Sequence, residues 1–320
     1  MSNSEYVVNT RENPMPGGGR VRFINADDGA RLRVIEWRPA DVRLNPCRGT
    51  VFLFGGRTEF AEKYFETVHE LLMRGFAVAT MDWRGQGLSA REKPDPRRGH
   101  IDDFVTFDHD LAAFMHAVAP AFPKPWVAMA HSMGGNILLR AVHDNPSWFS
   151  ALVATAPMLG INIGLATRLF AYPLAYIAFA IGLDRHYIPG GGPAAADEEP
   201  FDGNPLTGDP ARYALHQMLV RTDPRLGLGS PTFGWLKAAM QSIAVLAKPS
   251  YLSSVSLPVL LAMAQREAIV DNAAIRHAAK ILPNAQLVAI EEAHHEILME
   301  QDYCRQQFWG YFDAFMAQAI

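Results

Sequence analysis

The chain has 320 residues, 49% hydrophobic and 19% charged, the balance of a soluble globular protein with one large domain or two smaller ones. A formal net charge of −4 and a pI near 6.3 argue against a nucleic-acid binder, which would carry a basic excess. Cys47 and Cys304 are too few for a disulfide framework, and no Cys/His spacing suggests zinc.

Met1-Ser-Asn-Ser-Glu-Tyr6 has no basic segment followed by an apolar core, so no secretory signal is read and a cytoplasmic location is the default expectation. Residues 1–20 are polar and rich in glycine and proline, which predicts a loose arm. Arg20 to Asn25 and Leu32 to Trp37 flank Asp27-Asp-Gly29, a hairpin signal. Thr50 to Phe54 is a continuous apolar strand of the kind covered on both faces. Phe60 to Arg74 reads as a helix ending at Gly75, a C-cap position. Phe76 to Met81 is the next strand, running into Asp82-Trp-Arg-Gly-Gln-Gly-Leu-Ser89, where an Asp82–Arg84 brace is expected. Asp103 to Ala119 is an amphipathic helix. Trp126 to Ala130 is a buried strand, Met133 to Val142 a helix, and Phe149 to Thr155 another strand. From about 158 to 248 the pattern changes to apolar helical runs around a Gly/Pro-rich loop, with no alternating strand signal. Pro157 to Leu183 is nearly uncharged, but Pro173 and Gly182 interrupt it, so it reads as a buried or lipid-touching helical hairpin rather than a span. Strand–helix alternation then returns: Val259 to Met263, Asn272 to Leu282, Gln286 to Ile290 and Tyr303 to Ala317. The expected class is α/β, a mostly parallel sheet with helices on both faces, and such sheets place chemistry at the carboxyl ends of their strands.

Several groups fall at those ends. Ser132 sits on the strand-to-helix turn His131-Ser-Met-Gly134, which pushes its Oγ clear of the sheet and sets free helix N–H groups behind it. The bland alternative is an ordinary serine N-cap. The pattern Gly-x-Ser-x-Gly has Ala130 in its first place here. After Phe54 come Gly55, Gly56 and Arg57, and the backbone N–H groups of Arg57 and Met133 would together make an oxyanion hole. The Arg57 side chain itself is expected in solvent rather than at an anionic head group. Glu267 and Asp271 follow one strand, and His294 and His295 follow the last. A serine hydroxyl needs a base such as histidine, and the histidine needs a carboxylate to fix its tautomer. The order serine, acid, histidine is that of the α/β-hydrolase arrangement.

Phe54-Gly-Gly-Arg-Thr-Glu-Phe-Ala-Glu-Lys-Tyr64, Asp82 to Ser89, Ala130-His-Ser-Met-Gly-Gly135, Ala154-Thr-Ala-Pro-Met158, Glu267-Ala-Ile-Val-Asp-Asn272 and Ala293-His-His-Glu-Ile-Leu298 together resemble the α/β-hydrolase superfamily. More narrowly they are similar to the monoacylglycerol lipases and bacterial lysophospholipases, from about residue 20 to the C-terminus. The resemblance implies Ser132 as nucleophile, His295 as base and Glu267 as acid, with Asp271 the rival acid. It implies a helical cap at 158–248 between two parts of the core, 1–157 and 249–320. It implies hydrolysis of a small amphiphilic ester through an acyl-enzyme, with no metal, no cofactor and no nucleic-acid partner. Ala130, the missing His-Gly of the oxyanion loop, and glutamate in place of aspartate depart from the commonest pattern. Within the cap, Leu165, Leu169, Phe170, Tyr176 and Phe179 are expected to hold the acyl chain, and the cap to touch a membrane surface transiently. A serine peptidase or amidase of the same fold, or a non-catalytic ligand-binding module, are the rival functions.

Overall fold

The computed structural model describes residues 6–44, 46–162, 165–194 and 199–320, with backbone alone for 165–172. Eight strands build one sheet: β1 (Arg20–Asn25), β2 (Arg31–Trp37), β3 (Thr50–Phe54), β4 (Ala77–Met81), β5 (Trp126–His131), β6 (Ala151–Thr155), β7 (Val259–Ala264) and β8 (Ala285–Ile290). Their order across the sheet is β1-β2-β4-β3-β5-β6-β7-β8. β2 pairs antiparallel with both β1 and β4, and every pair from β4 to β8 is parallel. Parallel neighbours need crossovers, and helices supply them. In chain order these are α1 (Pro39–Val42), α2 (Phe65–Met73), α3 (Val105–Ala117), α4 (Met133–Asp144), α5 (Leu165–Ala180), α6 (Pro210–Thr222), α7 (Phe233–Leu246), α8 (Pro249–Leu252), α9 (Asn272–Ile281) and α10 (Asp302–Ala319).

The apolar runs dictate this layering. Every residue of β3, β4 and β6 is buried. Side chains alternate across a strand, so full burial means that both faces are covered. On one face α3 presents Phe107, Leu111 and Phe114 at helical spacing. The Phe114 ring meets Phe52 and Phe54 edge-on, at 5.3 and 5.2 Å between centroids. Each such side chain contributes roughly 1.5–3 kcal/mol by leaving water. α4 is buried from Met133 to Val142, which makes it the most enclosed helix of the layer.

Two expectations change. The N-terminal stretch is not loose from Tyr6 onward. Val7, Val8 and Asn13 are buried, the Val8 N–H donates to Glu62 Oε1 at 3.0 Å, and Trp37 Nε1 donates to the Pro16 carbonyl at 2.9 Å. The segment is held because it supplies donors and carbonyls to groups the sheet buries. The helix expected over Phe60 to Arg74 opens instead as a 3₁₀ turn, Ala61–Tyr64, before α2 begins.

After Thr155 the chain leaves the sheet and returns at Val259, adding α5 to α8 over its carboxyl edge. Pro173 lies inside α5, and no described helix is long and apolar enough to cross a membrane. This segment is tied to the core by hydrogen bonds. Ser242 Oγ of α7 donates to Asn136 Oδ1 of α4 at 2.5 Å, Glu296 N donates to the Leu206 carbonyl at 2.8 Å, and Arg212 grips Glu66 with two nitrogens at 2.7 and 2.8 Å.

Candidate active site

The site begins where β5 meets α4. Ser132 has φ +50° and ψ −116°, a conformation that a residue with a side chain adopts only under constraint. The constraint is visible: Ser132 N donates to the Thr155 carbonyl at 3.0 Å, and the Ser132 carbonyl accepts from Met158 N at 2.9 Å and Asn136 N at 3.2 Å. The helix behind it packs against the end of β3 at a glycine. A methyl added at Gly134 would lie 2.6 Å from the Gly55 carbonyl oxygen and 2.9 Å from that of Phe54. Only a bare backbone fits there. Ala130, the departure in the pattern, pairs with Phe54 on one side and with another alanine, Ala154, on the other.

Three residues far apart in sequence converge. His295 Nε2 lies 3.0 Å from Ser132 Oγ, and His295 Nδ1 lies 2.8 Å from Glu267 Oε2. Glu267 Oε1 accepts from the N–H groups of Ile269 and Val270 at 2.7 and 3.1 Å, which fixes the carboxylate plane. Burial alone would raise the Glu267 carboxyl; the His295 ring and those two N–H groups outweigh it and hold it below the usual carboxylate range. Asp271 is elsewhere employed: its Oδ1 accepts from Ala273 N at 2.7 Å and caps α9. His294 is turned away and bonded to Glu300 Oε1 at 2.9 Å. A carboxylate–imidazole–hydroxyl chain of this geometry can take the serine proton as the oxygen attacks a carbonyl.

Met133, the first residue of α4, and Arg57, on the turn after β3, line the same cavity as Ser132. The backbone N–H of a first-turn helical residue has no partner in its own helix, so Met133 can offer one to an oxyanion. The Arg57 side chain is not in solvent as expected. Its Nη2 donates to the Gly229 carbonyl at 2.7 Å, its guanidinium lies 5.2 Å over the Trp235 ring, and burial pushes it down to about 9. The helical segment covers it. The expected Asp82–Arg84 brace is also corrected. Asp82 accepts from Arg33 at 2.7 Å, whereas Arg84 bonds Asp110 and Asp28. Both residues brace loops, but with different partners.

The sequence reading missed a buried charge network beneath the oxyanion turn. Glu59 bonds the Gly56 N–H, accepts from Tyr64 Oη at 2.5 Å, and pairs with Lys63 at 2.9 Å; Lys63 also pairs with Glu296 at 2.5 Å. Burial works against the Glu59 carboxylate, but Lys63 and these hydrogen bonds hold it down at about 2. The signal was present as Glu59 and Lys63 at i, i+4, although that spacing more often marks an exposed helix face. His131 was missed too. Its ring stands 4.7 Å from that of His295, and burial lowers it to about 4, so it adds no charge beside the base at neutral pH.

These groups open into a cavity of about 530 Å³ walled mostly by apolar side chains, among them Met158, Ile161, Leu174, Ile188 and Phe233. Leu165, Leu169 and Phe170 carry side chains outside the described residues. Tyr176 and Phe179 are not among the lining residues: Phe179 is 36% exposed with Lys237 Nζ 3.8 Å over its ring. Leu174, on the same helix, reaches the cavity instead.

Known proteins resemble this chain over most of its length. A family model described as serine aminopeptidase, S33, matches residues 45–302. Lysophospholipase L2 of Escherichia coli (strain K12) is 34% identical over 80% of this chain and 76% of its own length. The monoacylglycerol lipase of Mycolicibacterium smegmatis is 24% identical over 85% of this chain and 91% of its own. A soluble variant of Saccharomyces cerevisiae monoglyceride lipase superposes with a TM-score of 0.72 at 20% identity, covering 94% of this chain and 97% of that one, a likeness of fold. The chain belongs to the serine aminopeptidase S33 family, and its α/β-hydrolase fold and lipase-type relatives make it a carboxylic ester hydrolase.

Proposed function

We propose that this enzyme cleaves the acyl ester of a lysophospholipid or monoacylglycerol through an acyl-enzyme on Ser132. His295 Nε2 takes the Ser132 proton as Oγ bonds to the carbonyl carbon. The tetrahedral oxyanion forms against the backbone N–H groups of Arg57 and Met133, each contributing roughly 3–4 kcal/mol of transition-state stabilisation. Glu267 keeps the His295 proton on Nδ1 and stabilises the imidazolium. His295 then protonates the leaving glycerol oxygen, and the acyl group stays on Ser132. Water attacks the acyl carbonyl as His295 takes its proton. The bond from the carbonyl carbon to Oγ then breaks, His295 returns the proton to Ser132 Oγ, and the fatty acid leaves. No step calls for a metal or cofactor.

The observation that carries this reading is the unbroken relay Ser132–His295–Glu267 opening into an apolar cavity of about 530 Å³. The apolar wall suits an acyl chain. We place the cap at 158–248, and transient contact with a lipid surface there, because Ile177 and Ile181 of that segment are 57% and 65% exposed. An aminopeptidase would need a free carboxylate for the substrate amine. Glu59 and Glu296 both line the cavity, but both are already paired with Lys63, which favours the lipid ester.

The test is a panel of esters with varied chain and head group, run beside amino-acyl anilides. Long-chain lysophospholipids and monoacylglycerols should give the highest kcat/KM. Faster turnover of the anilides would overturn the assignment.

A further inference from the structure

One charged group in the cavity has no use in the chemistry above. Among the described residues lining it, Arg57 is the one arginine or lysine. Its Nε is shielded from solvent and has no hydrogen-bond partner. No carboxylate lies within ion-pair distance of its guanidinium among the described residues. The two carboxylates in the lining, Glu59 and Glu296, are ion-paired with Lys63 instead. Burial lowers the Arg57 pKa; Tyr187 nearby works against that lowering and Arg91 adds to it, and Arg91 is itself spent on backbone carbonyls, including those of Gly85 and Gly227. A guanidinium offers five N–H donors in a rigid fork, and here the Gly229 carbonyl accepts from Nη2 while the Trp235 ring covers one face. Burying a cation without its counter-charge is costly. A cation kept in that condition inside a substrate cavity is matched by an anion that arrives with the substrate.

We propose that the Arg57 guanidinium binds the phosphate of the substrate head group, so that the enzyme selects anionic lysophospholipids over neutral monoacylglycerols. This rests on the ester-hydrolase reading and narrows it. The Arg57 backbone stands at the oxyanion turn, and its side chain runs from there toward Gly229 in the helical segment. An acyl carbonyl held at that turn leaves its glycerol leaving group on the alcohol side of the ester. A lysophospholipid carries its phosphate on the far carbon of that glycerol, which supplies the anion the guanidinium lacks. Charge-assisted, two-pronged contacts between guanidinium and phosphate are among the strongest hydrogen bonds available, and a lysine reproduces the charge but not the fork. The competing explanation is that Arg57 is only a strut between the core and Trp235.

The test compares 1-decanoyl-lysophosphatidate with 1-decanoylglycerol, which share an acyl chain and differ in the phosphate. Wild type should favour the phosphate by at least tenfold in kcat/KM. Arg57→Met should bring that ratio near one, mainly by raising KM for the lysophosphatidate, and Arg57→Lys should fall between. A wild-type ratio of one or less overturns the proposal, and so does an Arg57→Met that slows both substrates by the same factor, as a strut would. Dodecyl phosphate binding, followed by calorimetry, separates this from the ester-hydrolase reading. If wild type hydrolyses neither substrate, the ester reading fails, while at least tenfold weaker binding of dodecyl phosphate to Arg57→Met or Arg57→Lys still supports the subsite. Equal affinity in all three proteins overturns it.

Discussion

Replacing Glu267 with glutamine removes a charge and, with it, a tautomer. In the wild type Oε2 faces the His295 Nδ1 proton while Oε1 accepts from Ile269 and Val270 N–H. Glutamine has one carbonyl for these two tasks. Its oxygen goes to the paired backbone donors, since leaving two buried N–H groups opposite an amide would cost more than losing one ring contact. The amide then donates to His295 Nδ1, which forces the ring proton onto Nε2, the atom that must accept from Ser132. The wrong tautomer and the lost imidazolium partner together amount to about 10³–10⁴ in kcat, or roughly 4–5.5 kcal/mol. The fold should barely notice, because the backbone contacts survive. Asp271→Asn is the control: asparagine caps a helix nearly as well, so both activity and melting should stay near wild type. Steady-state esterase kinetics and thermal unfolding of both variants decide the matter. An active Glu267→Gln beside an inactive Asp271→Asn would refute the assignment.

Gly134→Ala should displace the Gly55 carbonyl that its methyl would approach to 2.6 Å, costing about 1–3 kcal/mol of stability and at least tenfold in kcat, read by denaturant unfolding and kinetics. Glu59→Gln strips Lys63 of one partner and loosens the Gly56 turn, so a loss of about 3 kcal/mol is expected in urea unfolding. Acid should destabilise the protein before its carboxylates titrate. Burial lowers His131 to about 4 and His216 to about 3 from 6.5, so the unfolded chain takes up protons first. Stability is then complete above pH 6.5 and declines below it, by roughly 2 kcal/mol per histidine between pH 6.5 and 5. His216→Phe, whose ring can keep the 5.2 Å contact with Phe60, should remove about half of that decline; an unchanged slope in urea midpoints at the two pH values would rule out the cause.

The sheet was legible because its strands are short apolar runs bounded by glycine, proline and polar turns. Thr50 to Phe54 is the strand predicted, and the departures elsewhere are of one or two residues at the ends. The serine turn and the acid and histidine loops could be located because each follows a strand, where open sheets gather chemistry. Three things could not be read. The N-terminal stretch looked loose because its composition is that of an arm; it is held by Glu62 and Trp37, which are distant in sequence. Arg57 looked solvated because nothing local says that a segment returning 172 residues later will cover it. In α5 the described large apolar side chains, Leu174, Tyr176, Ile177 and Phe179, are all exposed, so hydrophobicity alone did not say that Leu174 rather than Phe179 turns to the cavity. Long-range contacts decided all three.

The most direct measurement concerns Ser132 itself. The protein is incubated with a long-chain alkyl fluorophosphonate, digested, and sequenced by mass spectrometry, beside Ser132→Ala and His295→Ala. A single adduct on Ser132 is expected in the wild type, none in Ser132→Ala, and labelling slowed by at least 10³ in His295→Ala, since the imidazole 3.0 Å from Oγ is what makes the hydroxyl nucleophilic. An adduct on another residue, or labelling of Ser132→Ala at the wild-type rate, would contradict the assignment of Ser132 as the nucleophile.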